Sequence, residues 1–439
     1  MSPAAPAAQN VAGSLPFPDE KPGTVNTDMP FDHIIVVMME NHSFDNLLGM
    51  LPGVDGLTLD AQGKPTNSNP GTPHLGPQVD SFPFSDTAQA KNVSQNWRST
   101  HQQIHGGQMD GFVQSSSAAQ PMGYYTPEVL PFAYSLASAF TVGTRWFCSV
   151  PGPTYPNRRF LLAGTAWGAT TTTPDTLLDP PPPHGTIYDS LSSHNINWCN
   201  YFSDLPMSAI IPSIILKHAD HLAPIAKFFH DCQAGTLPAV SFLDPNVGVL
   251  SSIGLPLATL PTVVKQALQV LGADFQTSDP AATQEDPQDM YYGEAWAYRV
   301  IQAVLSSPLW PRTLLIYIYD EHGGYYDHVA PLAAVAPDDI APKLGPGDPP
   351  GAYDMYGPRV PAIVVSPYAP VGGVTDIEHD HTSVLATIEK KWNLPALTNR
   401  DANANDVMDF LTLAAPQLDR PAITGPSDTG PSGPVTPAG

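Results

Sequence analysis

The sequence predicts a three-layer α/β fold, with helices on both faces of a central, mostly parallel sheet. Two patterns predict it. Five short runs, residues 33–39, 197–202, 237–243, 314–319 and 360–366, are rich in Val, Ile, Leu and aromatic residues. Most are continuously apolar rather than alternating, as strands buried on both faces are. Helical patterns fall among them: residues 293–305 carry Trp296, Val300, Ile301 and Val304, and residues 383–392 carry Leu385, Ile388 and Trp392. These spacings put the apolar side chains on one helix face. Strands interleaved with helices bury their apolar faces as a layered α/β domain.

In chain order, residues 1–29 are rich in Ala, Pro and Gly without periodicity and read as a mobile or wrapping arm. Residues 30–413 carry the strand and helix patterns and read as one catalytic domain with loop insertions. A chain of 439 residues suggests about three domains at roughly 150 each, but α/β enzymes use this length for one. The 51 prolines are about 12% of the chain, more than twice the usual 5% or so. They concentrate in residues 60–125, 171–185 and 329–358, which are expected to be loops and insertions over one edge of the sheet. Residues 414–439 repeat the composition of the first segment and read as a tail. No internal repeat is present.

Composition excludes several functions. Lys and Arg number 18 against 41 Asp and Glu, a net charge of −23, whereas nucleic-acid binding calls for a basic face. The same balance disfavours docking on anionic lipid. The three cysteines, Cys148, Cys199 and Cys232, are too few for a disulfide framework, and without a Cys-x-x-Cys pair no zinc ribbon can form. The opening MSPAAPAAQNVAGSLPFPDEKPG has neither a charged n-region nor an apolar h-region, so as written it is not a signal peptide. No apolar run approaches the roughly 18 residues of a membrane span, and a soluble protein is expected. The oligomeric state leaves no mark in the sequence.

In open α/β sheets ligands bind beyond the carboxyl ends of the strands, so the residues after each apolar run are the ones to inspect. After residues 33–39 come Glu40, Asn41, His42, Ser43, Phe44 and Asp45. After residues 314–319 come Asp320, Glu321, His322, Gly323 and Gly324, then Tyr325, Tyr326, Asp327 and His328. One acid at a strand end does no more than start a loop. Two clusters offering Glu40, Asn41, Asp320 and Glu321 form a hard oxygen-donor set suited to a divalent cation. Glycines beside such a cluster let a ligand approach the backbone.

A third segment runs from Ser149 through Pro151, Gly152, Pro153, Thr154, Tyr155, Pro156, Asn157, Arg158 and Arg159 into Phe160-Leu161-Leu162. Pro156 suits the first turn of a helix, which puts Thr154 at or before its N-terminus. There unpaired N–H groups and the helix dipole favour an anion. Thr154 serves either as a simple N-cap or as a nucleophile, which a metal or base must activate. Among 14 histidines, His328 and His381 each adjoin an Asp that could orient the ring, and the His-x-His pair 379/381 has a metal-ligand spacing. Asp244, at the end of the third run, is a further candidate.

These segments resemble the bacterial phosphoesterase family that holds the phosphatidylcholine-type phospholipases C and the respiratory-burst-inhibiting acid phosphatases. The matching stretches are FDHIIVVMMENHSFDNLLGML (31–51), HQQIHGGQMDGF (101–112), CSVPGPTYPNRRFLLAGTAWG (148–168), TLLIYIYDEHGGYYDHVAP (313–331), YGPRVPAIVVSPYAP (356–370) and HDHTSVLATIEKKWNLP (379–395). The resemblance implies an alkaline-phosphatase-like sandwich and one divalent metal ion on Glu40, Asn41, Asp320 and Glu321, with Thr154 as a nucleophile that also contacts the metal. The all-oxygen set favours Ca, Mg or Mn. His101 and His328 are similar to family histidines near the phosphate and are the expected catalytic partners of Thr154, one of them protonating the leaving alkoxide; Asn157 and His381 are the expected substrate contacts. The implied activity is phosphoester hydrolysis through a phospho-enzyme, on a phospholipid or another phosphoester. A phospholipase C type is favoured over an acid phosphatase, and a silent binding homologue is the remaining alternative. Asp286-Pro287 stands where the family commonly has His-Pro. Neither the export signal frequent in the family nor the further β-domains of its larger members are present as written.

Overall fold

Along β1 (His33–Met39), Ile34 to Met39 are all buried, and a later strand, β6 (Thr313–Tyr319), is buried throughout. Burial on both faces at the sheet centre requires a helical layer on each side. The computed structural model describes residues 6–89, 93–246, 282, 284–285, 288–428 and 430–432. Among them the large sheet also holds β2 (Thr141–Gly143), β3 (Trp198–Phe202), β4 (Leu222–Pro224), β5 (Val240–Asp244), β7 (Ala362–Val365) and β8 (Val374–Thr375). The order is β8-β2-β7-β6-β1-β5-β3-β4. All pairs are parallel except those β7 makes with β6 and β2, so β7 alone runs against the rest. The sheet is thus mostly parallel, as the sequence predicts.

Seven of the helices fall into two packed groups. One comprises α5 (Thr154–Ala163), α6 (Ile187–Ser193) and α9 (Thr382–Trp392). The other comprises α1 (Phe44–Leu48), α4 (Pro131–Ala139), α7 (Ile225–Ala234) and α8 (Met290–Ser306). Helices α8 and α9 cover the two helical patterns read from the sequence. Each Ile, Val or Leu they and the strands bury contributes about 1.5–3 kcal/mol relative to exposure.

The proline-rich stretch 60–125 departs from the expectation of loop alone. It contains α2 (Trp97–Ile104) and α3 (Phe112–Ser116), with two small strand pairs, Ser68–Pro70 with Gln78–Asp80 and Phe82–Pro83 with Gly123–Tyr124. Its prolines stand outside these helices, and Asn96 starts α2 by accepting from Ser99 N. Residues 13–26 lie along the end of α9: Gly13 N donates to Ala396 O, Gly23 N to Trp392 O and Asn26 N to Lys391 O, while the Asn393 amide donates to the carbonyls of Phe17 and Glu20. All three cysteines are buried free thiols. Among the described residues no helix is long and apolar enough to cross a membrane.

Candidate active site

Strands β1 and β6 stay in register to their last pair, Met39 beside Tyr319, so the two chains leave the sheet side by side. Glu40 and Asn41 follow one strand, Asp320 and Glu321 the other. Asn41 N donates to Asp320 Oδ1 at 3.1 Å, tying the two turns together. Asn41 takes a φ of 68°, the left-handed region that Asn tolerates better than most side chains. Gly323 has a φ of 64°, and a Cβ on it would lie 1.9 Å from Asn41 O. Only glycine lets the turns touch there.

Helix α5 begins at Thr154, as Pro156 in its first turn requires. The Thr154 hydroxyl donates to Glu40 Oε1 at 3.3 Å. One turn on, buried Arg158 donates from Nε to Asp320 Oδ2 at 3.0 Å and from Nη2 to Met39 O at 3.1 Å. A single helix therefore carries the candidate nucleophile and clamps the ends of both strands. A cavity of about 460 Å³ stands over Thr154 and Glu40, with Asn96, Pro153, Thr172 and Glu285 among its walls.

The electrostatics of this cluster fit a hard cation. Burial raises the Glu321 carboxyl well above its ordinary range, and the charges of Asp320, Glu285 and Glu40 push it further. Burial also raises Asp320, against the opposing pull of Arg158. Arg158 is one cation among these crowded carboxylates. Asn41 Oδ1 and Glu321 Oε1 are buried without a hydrogen-bond partner, and such orphaned oxygens are costly unless a cation or donor meets them. Asp320 is spoken for: Oδ1 accepts from Asn41 N and Glu321 N, and Oδ2 from Arg158.

Other residues singled out in the sequence stand elsewhere. His328 does not line the cavity and is not oriented by its neighbour Asp327. Its Nδ1 pairs with Asp45 at 2.7 Å and its Nε2 with Asp55 at 3.1 Å, while Asp327 pairs with Arg359 at 2.9 Å. Burial alone would lower the His328 pKa, but the hydrogen bond and charge of Asp45 raise it to about 9. Among the described residues Asp45, Asp327 and His328 are the one group of acidic and imidazole ligands close enough together to share a metal ion. Arg359 already supplies a cation to both carboxylates there, so the orphaned oxygens of Asn41 and Glu321 point to the other cluster.

His101 lines a neighbouring cavity and donates from Nδ1 to Trp97 O at 2.7 Å; burial lowers its pKa. His381, fully buried, donates from Nε2 to the Asp320 carbonyl at 2.6 Å, and burial lowers it to about 4. Its neighbour Asp380 serves Ser149 and Thr382 instead of the ring. His379 pairs with Ser383 and Asp409, so the His-x-His pair does not converge on one ion. Asn157 also turns to the protein: its Oδ1 accepts from Val150 N and its Nδ2 donates to the carbonyls of Val150, Gly152 and Pro153, bracing the turn into α5. Asp244 accepts from Asn200 and from Met207 N, and Asp286 lies outside the described residues.

Three residues of the site have no counterpart among those singled out in the sequence: Arg158, Glu285 and His322. Arg158 carried a signal, since a cation on the apolar helix that follows Thr154 must find a buried acid. His322 donates from Nε2 to Gln103 Oε1 at 2.7 Å and sets Nδ1 3.2 Å from Glu321 Oε2.

A model of the family described as Phosphoesterase family matches residues 31–395. Non-specific phospholipase C6 of Arabidopsis thaliana is 31% identical, over 91% of this chain and 76% of its own length. Phospholipase C A of Mycobacterium tuberculosis is 27% identical, over 96% of this chain and 84% of its own. Among solved structures, a protein in the alkaline phosphatase superfamily from Vibrio parahaemolyticus has a TM-score of 0.31 at 13% identity, over 79% of this chain and 74% of that chain.

Proposed function

The chain belongs to the phosphoesterase family, and from that premise we propose that it is a metal-dependent phosphodiesterase of phospholipase C type with Thr154 as its nucleophile. One observation carries the proposal: the Thr154 hydroxyl, at a helix N-terminus on a cavity wall, donates to Glu40, the neighbour in sequence of Asn41 and an acid whose charge is felt at Glu321, and both of those residues keep a buried oxygen without a partner. The names of the relatives from Arabidopsis thaliana and Mycobacterium tuberculosis support the phospholipase side over the acid phosphatases.

Thr154 Oγ1 attacks phosphorus and passes its proton to Glu40 Oε1. The bond from phosphorus to the leaving oxygen breaks, and a phosphothreonine diester or monoester remains until water releases it. The proton for the leaving alkoxide we assign to Glu285, the other acid on the cavity wall, because neither His101 nor His328 lines this cavity. The N–H groups and dipole at the start of α5 hold the non-bridging oxygens, where charge develops. Glu40, Asn41 and Glu321 would hold a Ca, Mg or Mn ion, which when bound supplies Lewis-acid charge against the phosphate, while Asp320, engaged by Arg158 and two backbone N–H groups, braces the two turns that carry them. Arg158 opposes the rise that burial imposes on the Asp320 carboxyl and aims it, and His381 fixes its backbone.

Steady-state hydrolysis of p-nitrophenylphosphorylcholine beside p-nitrophenyl phosphate tests this, with and without chelator. A preference for the diester that chelator removes and added metal restores is expected. A preference for the monoester moves the protein to acid phosphatase activity. No turnover of either under any added metal makes it a binding protein.

A further inference from the structure

A second cavity adjoins the one over Thr154. Asn96 lines the first and the next residue, Trp97, lines the second; Pro153 lines the first and Pro151 the second. Between them Gly152 packs on Trp97, whose ring lies 3.5 Å from where a Cβ on Gly152 would stand. The Trp97 ring and the backbone of residues 151–153 thus stand between the two cavities. The two cavities differ in chemistry. The first presents Glu40, Glu285 and four threonines. The second, about 800 Å³, presents Trp97, Ile104, Leu332, Tyr353 and Met355, with His101 and Asp354 as its ionisable residues.

We propose that the second cavity holds the apolar tail of the same molecule whose phosphate sits at Thr154, an acyl chain of a glycerophospholipid. This rests on the phosphodiesterase reading above. An acyl chain gains by leaving water for every methylene buried, and the acidic first cavity offers it no apolar wall of comparable extent. The volume of the second falls within the roughly 300–1,000 Å³ of small-molecule sites. Because residues adjacent in the chain, Asn96 and Trp97, line one cavity and the other, one molecule can reach from the first into the second.

Two assays test it, each on the wild type and on Ala330→Phe, which fills a position lining the second cavity only. The first compares kcat/KM for monomeric dihexanoyl- and dibutanoyl-phosphatidylcholine. An apolar pocket rewards each methylene, so the wild type is expected to favour the longer ester by about tenfold or more, and Ala330→Phe to lose most of that ratio. The second measures binding of butyl-, hexyl- and octylphosphonate by calorimetry and needs no turnover; affinity should climb with length in the wild type and stay flat in Ala330→Phe. Met355→Ala, which empties the cavity, replaces Ala330→Phe if that variant does not fold, and should improve octylphosphonate over hexylphosphonate. Length-independent binding in the wild type, or a length dependence that no cavity variant alters, overturns the proposal. Length-dependent phosphonate binding without hydrolysis of either ester keeps the tail site and sinks the catalytic reading instead.

Discussion

Thr154→Ala is expected to lower kcat/KM by about 10³-fold or more, because a covalent route has no substitute for its nucleophile. The fold should survive. Alanine is a better helix former than threonine, and the loss of one hydrogen bond to Glu40 costs about 1 kcal/mol. The change leaves Glu40, Asn41, Asp320 and Glu321 in place, so calorimetric metal binding should persist while phosphoryl labelling of the protein disappears. Turnover within tenfold of the wild type would reject the nucleophilic role. Loss of turnover together with loss of metal binding would make Thr154 a ligand first.

The largest stability effect is expected at Arg359, far in the chain from any proposed catalytic group. Its guanidinium is fully buried and joins Asp327 at 2.9 Å and Asp45 at 3.1 Å, with the carbonyls of Asp55 and Thr144 both at 2.9 Å. Arg359→Met leaves two buried carboxylates short of a cation and should cost about 3–5 kcal/mol, read as a fall in the urea midpoint. A loss below about 1 kcal/mol would mean that His328 alone neutralises the group. His328 also gives this network a pH dependence. Its folded pKa, about 9, lies above its ordinary 6.5, so its contribution is complete below pH 6.5 and fades as pH rises through about 9. The same titration, repeated across that range, should show the wild-type midpoint falling.

The layered fold was legible because continuous apolar runs and helical spacing are local. β1, β6, α8 and α9 are each a few residues from the runs that announced them. The direction of β7 was not legible: a strand buried on both faces carries the same residues whether it runs parallel or against its neighbours. Helix α2 was hidden because WRSTHQQI is mostly polar, and its start depends on Asn96, one turn signal among many in a proline-rich stretch. At the site, the oxygen donors were readable as the residues that follow two apolar strands. Their partners were not, since the Arg158–Asp320 contact spans 162 residues. Adjacency misled for His328 and His381, whose rings turn from the neighbouring Asp to groups distant in the chain, Asp45 in α1 and the Asp320 carbonyl after β6.

The place of β1 in the sheet has a consequence for synthesis. It emerges among the first forty residues, yet its partners are β5, at Val240–Asp244, and β6, at Thr313–Tyr319. At about 5–20 residues per second, the strand waits roughly a quarter of a minute to a minute before the second neighbour exists. An apolar strand with both edges open is prone to pair with the wrong chain. Ribosome-arrested chains that end before residue 313 should be cut by protease at residues 33–39, and chains that extend past 395 should resist; protection in the shorter chains would show that another segment covers the strand. The central layer is thus the first part of this domain to be made and among the last to be closed, which leaves the growing chain dependent on whatever shields it in the interval.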